Sequence, residues 1–151
     1  LSNRDSDSSR ELKRLCRGQS LGVLSTCREG KPYSSLIGFV ASDDLKSIVF
    51  ATMRHTRKYN NLRDNGQVSI LIDSRTNQIE DFSDAAAATA IGTAHEVSGK
   101  QRDELAAAYT KRHFYLRDFI SDPHCALILV KVKRYILVSQ FQQVVEMDME
   151  S

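Results

Sequence analysis

The chain has 151 residues, 41% of them hydrophobic and 26% charged, with a formal net charge of +2. This size and composition suit one domain, residues 1–151, with a single core, and argue against disorder. The charge is too mild to imply nucleic acid, and no apolar run approaches the ~20 residues of a membrane span.

Residues 8–17 read as a short helix, with Ser8 and Glu11 as a capping box and Gly18 as the stop. Residues 1–9 are expected to be flexible, and the polar start LSNRDSDSSRELKRL lacks the apolar stretch of a secretory signal. SLGVLSTC (20–27) is β-like, REGK (28–31) is a turn, and PYSSLIGFVA (32–41) is a strand. In that strand Tyr33, Ser35, Ile37, Phe39 and Ala41 share one face, and Ser34, Leu36, Gly38 and Val40 the other. SIVFAT (47–52) makes a third strand of an antiparallel meander. Residues 56–64 break the β pattern as a helix, and QVSILID (67–73) returns to strand.

The run AAAATAIGTAHEV (85–97) mixes alanines, which favour helix, with the alternation of Thr89, Ile91 and Thr93; it reads as a strand. Its small side chains would let another backbone, a subunit or a flat ligand come close. Residues 98–112 follow as a helix opened by a second capping box, Ser98 with Gln101, and 114–120 as another, ended by Asp122-Pro123. CALILVKVKRYILVS (125–139) is the longest strand, and 140–151 are expected as a C-terminal tail. Six strands with hairpin connections and helices between them predict a small antiparallel barrel with helical decoration.

The stretch HTRKYNNL (55–62) carries the chemistry. Residues 54–63 hold Arg54, Arg57, Lys58 and Arg63 with no carboxylate, where a strand gives way to a helix. A helix N-terminus offers unpaired N–H groups and partial positive charge, so Thr56 as N-cap with Arg57 and Lys58 forms a recipe for a monophosphate. The alternative is a solvated helix start, at a cost of a few tenths of a kcal/mol for cations in the first turn.

GKPYSSLIGFV, then IVFATMRHTRKYNNLRDNGQVSILID, then AIGTAHEV resemble the pyridoxamine 5′-phosphate oxidase-like family of FMN-binding split barrels, over roughly residues 10–140. The resemblance implies a six-stranded antiparallel split β-barrel, mainly β with α decoration. It also implies a homodimer with FMN in clefts between subunits. It gives Arg57 and Lys58 the flavin phosphate, with Thr56 just before them. Ala51 and Thr52 then lie at the end of the strand along the flavin, and Ser35, Leu36, Ile37 and Gly38 on the strand beside its ring and ribityl chain. His55 is a further candidate contact in the basic loop. The run Ala85–Ala90 matches the strand that approaches from the partner.

The chain departs from the vitamin-B6 oxidases themselves. It has Ser35 where they carry a second phosphate-binding arginine, alanines near Ala87 where they carry a flavin-facing glutamine, and SQFQQVVEMDMES in place of their Arg-Leu-His-Asp-Arg ending. These departures thin the phosphate grip and speak against vitamin-B6 oxidase activity. The shorter relatives include flavin reductases, nitroimidazole-reductase-like proteins and haem-degrading split barrels. The expectation is therefore a cytoplasmic FMN flavoprotein, an oxidoreductase on an unidentified small molecule. The alternatives are a haem-binding or haem-degrading protein and a non-catalytic flavin-binding module.

No Ser-His-Asp, HExxH or P-loop pattern is visible, so no side chain stands out as catalytic. The four histidines have no metal-ligand spacing, and the three cysteines, Cys16, Cys27 and Cys125, are far apart; no metal site or disulfide is expected. His113 and His124 are candidate haem ligands, or ordinary polar residues. Tyr109, Tyr115 and Phe119 fall at helical spacing and read as core. Tyr135 lies about where relatives place an aromatic near the flavin.

Overall fold

The computed structural model describes residues 3–140 and 142–150. Among the described residues seven strands form one antiparallel sheet: β1 Leu21–Arg28, β2 Lys31–Ala41, β3 Ser47–Met53, β4 Gln67–Asp73, β5 Ala87–Glu96, β6 Cys125–Ser139 and β7 Gln143–Asp148. Their order is β3-β2-β1-β4-β5-β6-β7, and a further β3–β6 pairing closes the first six into a barrel. The closing seam is regular over seven residue pairs, from Ser47↔Lys131 to Met53↔Cys125. β6 is long enough to serve two partners: its first half closes the barrel on β3, and its second half carries β7 from Arg134↔Asp148 to Ser139↔Gln143.

The alternation of the strands builds the interior. Leu24, Ile37, Phe39, Ile48, Phe50, Ile70, Ile72, Ile128 and Val130 all face inward and are buried. The hairpin β1–β2 turns on Glu29 and Gly30, both at positive φ, as a two-residue turn of this hand requires. In β5 the small residues Ala88 and Ala90 are fully buried, and a Cβ on Gly92 would sit 2.3 Å from the Lys131 carbonyl oxygen. The close approach expected from this run is thus made, within the chain, by the backbone of β6. A bulge at Ile91/Gly92 accompanies it.

Helix α1 (Asn3–Gly18) contributes Leu12, Leu15 and Cys16 to the barrel core, and α2 (Arg57–Asp64) contributes Tyr59 and Leu62. A short α3 (Asp81–Asp84) interrupts the polar connection before β5. Outside the barrel, α4 (Gly99–Arg112), a 3-10 turn (Phe114–Leu116) and α5 (Arg117–Ser121) pack on β3 and β6 around Val49, Tyr109, Ile120 and Leu127. Arg112 fastens this outer layer to α1, donating to the carbonyl of Cys16 at 2.7 Å and to those of Arg17 and Gln19. Among the described residues no helix is long and apolar enough to cross a membrane.

Three expectations change. Helix α1 starts at Asn3, so Ser8 and Glu11 lie inside the helix and form no capping box; residues 1 and 2 lie outside the described residues. Ser98 does precede α4, yet its side chain makes no capping bond. The expected tail carries β7, whose alternating exposed and half-buried residues extend the sheet; Phe141 and Ser151 lie outside the described residues.

Candidate functional site

The two edges of β3 differ. Its edge toward β6 is fully paired, whereas β2 and β3 pair only at Phe39↔Phe50, Val40↔Val49 and Ala41↔Ile48, and then splay apart. The Phe39 N–H reaches back to Ser20 O at 3.3 Å, toward β1. Backbone groups alternate along an antiparallel strand, so those of Gly38, Leu36 and Ser34 point the other way, toward β3. Arg54 N–H donates to His124 O at 3.0 Å, on the β6 side, so the backbone groups of Met53 and Ala51 point toward β2. The barrel is thus split, and unpaired edges of two strands face each other across the gap.

A cavity of about 310 Å³ occupies this split. Leu36, Ile37 and Gly38 of β2 line it, with Ala51, Thr52 and Met53 of β3, and His55, Thr56 and Lys58 from the turn into α2. Tyr109, Leu116 and Phe119 close it from the outer helices. Burial pulls the Lys58 ammonium below the usual lysine range. Among the described residues no carboxylate pairs with it. A partly desolvated cation without an anionic partner is a group that an anionic ligand would stabilise.

The turn that carries these residues is held from both sides. Thr56 is the N-cap of α2: its Oγ1 accepts from the Tyr59 N–H at 3.4 Å and donates to Met53 O at 2.8 Å, with Thr52 Oγ1 2.9 Å away. Behind the turn, Glu96 at the end of β5 accepts from Arg54 at 2.7 Å and from the Tyr59 hydroxyl at 2.6 Å, and Arg54 also donates to Pro123 O at 2.8 Å. The Arg54 hydrogen bonds hold the Glu96 carboxyl below the usual glutamate range, and burial with the Glu96 contact raises the Tyr59 phenol.

The family model of pyridoxamine 5′-phosphate oxidase matches residues 8–142. The chain belongs to this family. A search of the curated proteins gives no match. Among solved structures, a heme binding protein from Mycobacterium smegmatis superposes with TM-score 0.83 at 18% identity, covering 93% of this chain and 57% of that one. The chain therefore spans little more than half of that protein. HutZ, the heme storage protein from Vibrio cholerae, has TM-score 0.71 at 21% identity over 82% of this chain and 88% of its own. A FAD-binding protein from Mesorhizobium loti has TM-score 0.66 at 16% identity over 85% and 90%. At these identities the neighbours share the split-barrel fold.

Within the family frame, Leu36, Ile37, Gly38, Ala51, Thr52, His55, Thr56 and Lys58 come together at one cavity, while Ser35 and Arg57 do not line it. Ser35 Oγ is buried without a hydrogen-bond partner among the described residues. Arg57 turns into a neighbouring groove with Arg28, Lys31 and Asn61, its guanidinium 5.1 Å from the centre of the Tyr33 ring. Arg54 is committed to Glu96, so the basic knot seen in the sequence is partly neutralised by an acid 42 residues away. Tyr135 is not near the cavity: it is fully buried in the barrel and donates to Leu45 O at 2.6 Å. His113 is buried with Nε2 2.8 Å from Phe39 O and Nδ1 3.4 Å from the Tyr115 hydroxyl, so both ring nitrogens have neighbours within the chain.

Tyr109, Leu116 and Phe119 were not among the expected site residues. Helical spacing marks them as inward-facing, and only the packing of the outer helices over the split reveals which gap they face.

Proposed function

We propose that this chain is a flavoprotein subunit that holds FMN in the split between β2 and β3 and serves as an oxidoreductase for a small molecule. The observation that carries this reading is the facing pair of unpaired strand edges with Lys58 at one end of the gap. The slot-facing N–H and C=O of Leu36 and the N–H groups of Gly38 and Met53 suit a flat heterocycle bearing ring nitrogens and carbonyls. Lys58 and the first amides of α2 suit the phosphate. Thr56 serves by fixing the turn, since its hydroxyl is already engaged by Met53, Tyr59 and Thr52.

Bound FMN would supply hydride and single-electron transfer, chemistry that no side chain here provides. The protein's share is to bind, orient and exclude water. Among the described residues no carboxylate lines the cavity, and the imidazole that does, His55, is exposed. The open side of the slot presents Leu36, 62% exposed, and a second copy of the chain would cover it in a homodimer.

A second reading, a haem protein, draws on the two neighbours named for haem binding and storage. In this chain His55 is the histidine among the cavity residues. One experiment separates the readings: the absorption spectrum of the purified protein, followed by the mass of the released ligand. A yellow protein that releases FMN bears out the first, and a Soret band bears out the second. A colourless protein that takes up neither from solution overturns both.

A further inference from the structure

The groove into which Arg57 turns is a cavity of about 440 Å³ between the β1–β2 hairpin and α2, and the flavin reading leaves it unused. Its lining combines three kinds of group. Arg28, Lys31 and Arg57 are cations, Glu29 is a carboxylate, and Tyr33 with Pro32 supplies a ring and apolar surface. The hairpin sets most of them in place: Arg28 pairs with Lys31 across the turn, and Glu29 sits in the turn itself at φ 52.

The three cations are not equivalent. Arg28 Nε lies 2.6 Å from the Asp64 carboxylate, so its charge is met within the chain. Among the described residues neither Lys31 nor Arg57 has an ion-pair partner. Arg57 rests over the Tyr33 ring, 5.1 Å from its centre. The ring supports one face of the guanidinium and leaves its planar fork of N–H groups to meet an oxyanion. A simple anion would use Lys31 and Arg57 and would be opposed by Glu29. A ligand that uses all three kinds of group has an anionic part, a hydroxyl-bearing part and a flat part.

We propose that this groove is a nucleotide subsite, separate from the flavin slot, that takes a nucleoside diphosphate. The Arg57 fork and the Lys31 ammonium hold the diphosphate. Glu29 accepts from the ribose hydroxyls, as an acidic residue does in dinucleotide sites, and so disfavours a ribose that carries a 2′-phosphate. Tyr33 and Pro32 give the base an apolar surface. The subsite stands on these residues and does not rest on the flavin reading.

The test is isothermal titration of the full chain, saturated with FMN, with ADP, adenosine and inorganic phosphate in turn. ADP is expected to bind at least about ten-fold more tightly than either fragment, and Arg57→Ala and Lys31→Ala, on different elements, should each weaken it by about ten-fold or more. Glu29→Gln should narrow the preference for ADP over ADP bearing a 2′-phosphate. ADP that binds no more tightly than inorganic phosphate overturns the nucleotide and leaves a surface anion patch. Unchanged ADP affinity in either alanine variant overturns the groove as its place. ADP that binds only the FMN-free protein has taken the slot, which overturns a separate subsite. If the parent protein takes up no FMN, the flavin reading fails, and the same titrations without FMN still decide the groove.

Discussion

β3 has two edges with opposite fates. Toward β6 it pairs without interruption over seven residue pairs, and the inward side chains along that seam, Ile48 and Phe50, are fully buried. Toward β2 it pairs over three and then parts, leaving Ala51 and Met53 with backbone groups that face a cavity. A buried strand edge is costly unless its polar groups find partners. The closed edge therefore makes stability, and the open edge creates a demand that the Tyr109 hydroxyl meets at Gly38 O and a ligand can meet beyond it. The site in this barrel is the place where the ladder is withheld.

The contrast predicts different responses on the two sides. Phe50→Ala removes a fully buried ring at the junction of β2, β3 and β6, and is expected to cost about 3–5 kcal/mol of stability in denaturant unfolding. Leu36→Ala, at the open edge, should change the unfolding of the isolated subunit by less than about 0.5 kcal/mol, because the side chain is 62% exposed. Equal losses at the two positions would mean that the split is packed as a second core.

The next effect separates the two cations at the start of α2. Lys58 is partly buried at the cavity, and Arg57 is exposed over Tyr33 in the adjoining groove. Lys58→Ala should weaken FMN binding by about 1.5–3 kcal/mol, as expected for a charge-assisted contact. Arg57→Ala should cost under about 1 kcal/mol, in line with an exposed charge. Isothermal titration of the two variants checks this. The reverse order would move the phosphate to the Tyr33 groove.

Much of this arrangement is legible in the sequence because period-2 alternation and a Glu29-Gly30 turn are local signals. The first six strands and α2 follow from them, and the resemblance to the family marks the cavity residues of β2, β3 and the α2 turn. What escapes depends on distant partners. Arg54 reads as free charge until the fold brings Glu96 to it from β5. Tyr109 reads as core until the fold shows it lining the cavity with its hydroxyl on Gly38 O. Strand β7 escapes for a different reason: it is a polar edge strand whose exposed face mixes Val144 with the acids Glu146 and Asp148. Tyr135 misleads because an aromatic in the last strand carries no sign of which side of the barrel it faces.

The smallest expected effect lies behind the open edge, in the brace formed by Glu96, Arg54 and Tyr59. Glu96 is held below the ordinary glutamate range, chiefly by its hydrogen bonds to Arg54. A carboxyl whose folded-state value is depressed contributes stability above its unfolded value, near 4.5, and loses it as pH falls through the lower folded value. Acid should therefore loosen the turn that carries His55, Thr56 and Lys58 just below pH 4.5, ahead of the barrel itself. Glu96→Gln removes the charge at every pH while keeping the side chain's size. It should lower stability slightly at pH 7 and flatten the acid dependence in that window. Thermal unfolding of parent and variant from pH 7 down to pH 3 measures the difference. Parallel curves would show that Glu96 is a solvated surface acid and that the turn is held by the Thr56 cap alone.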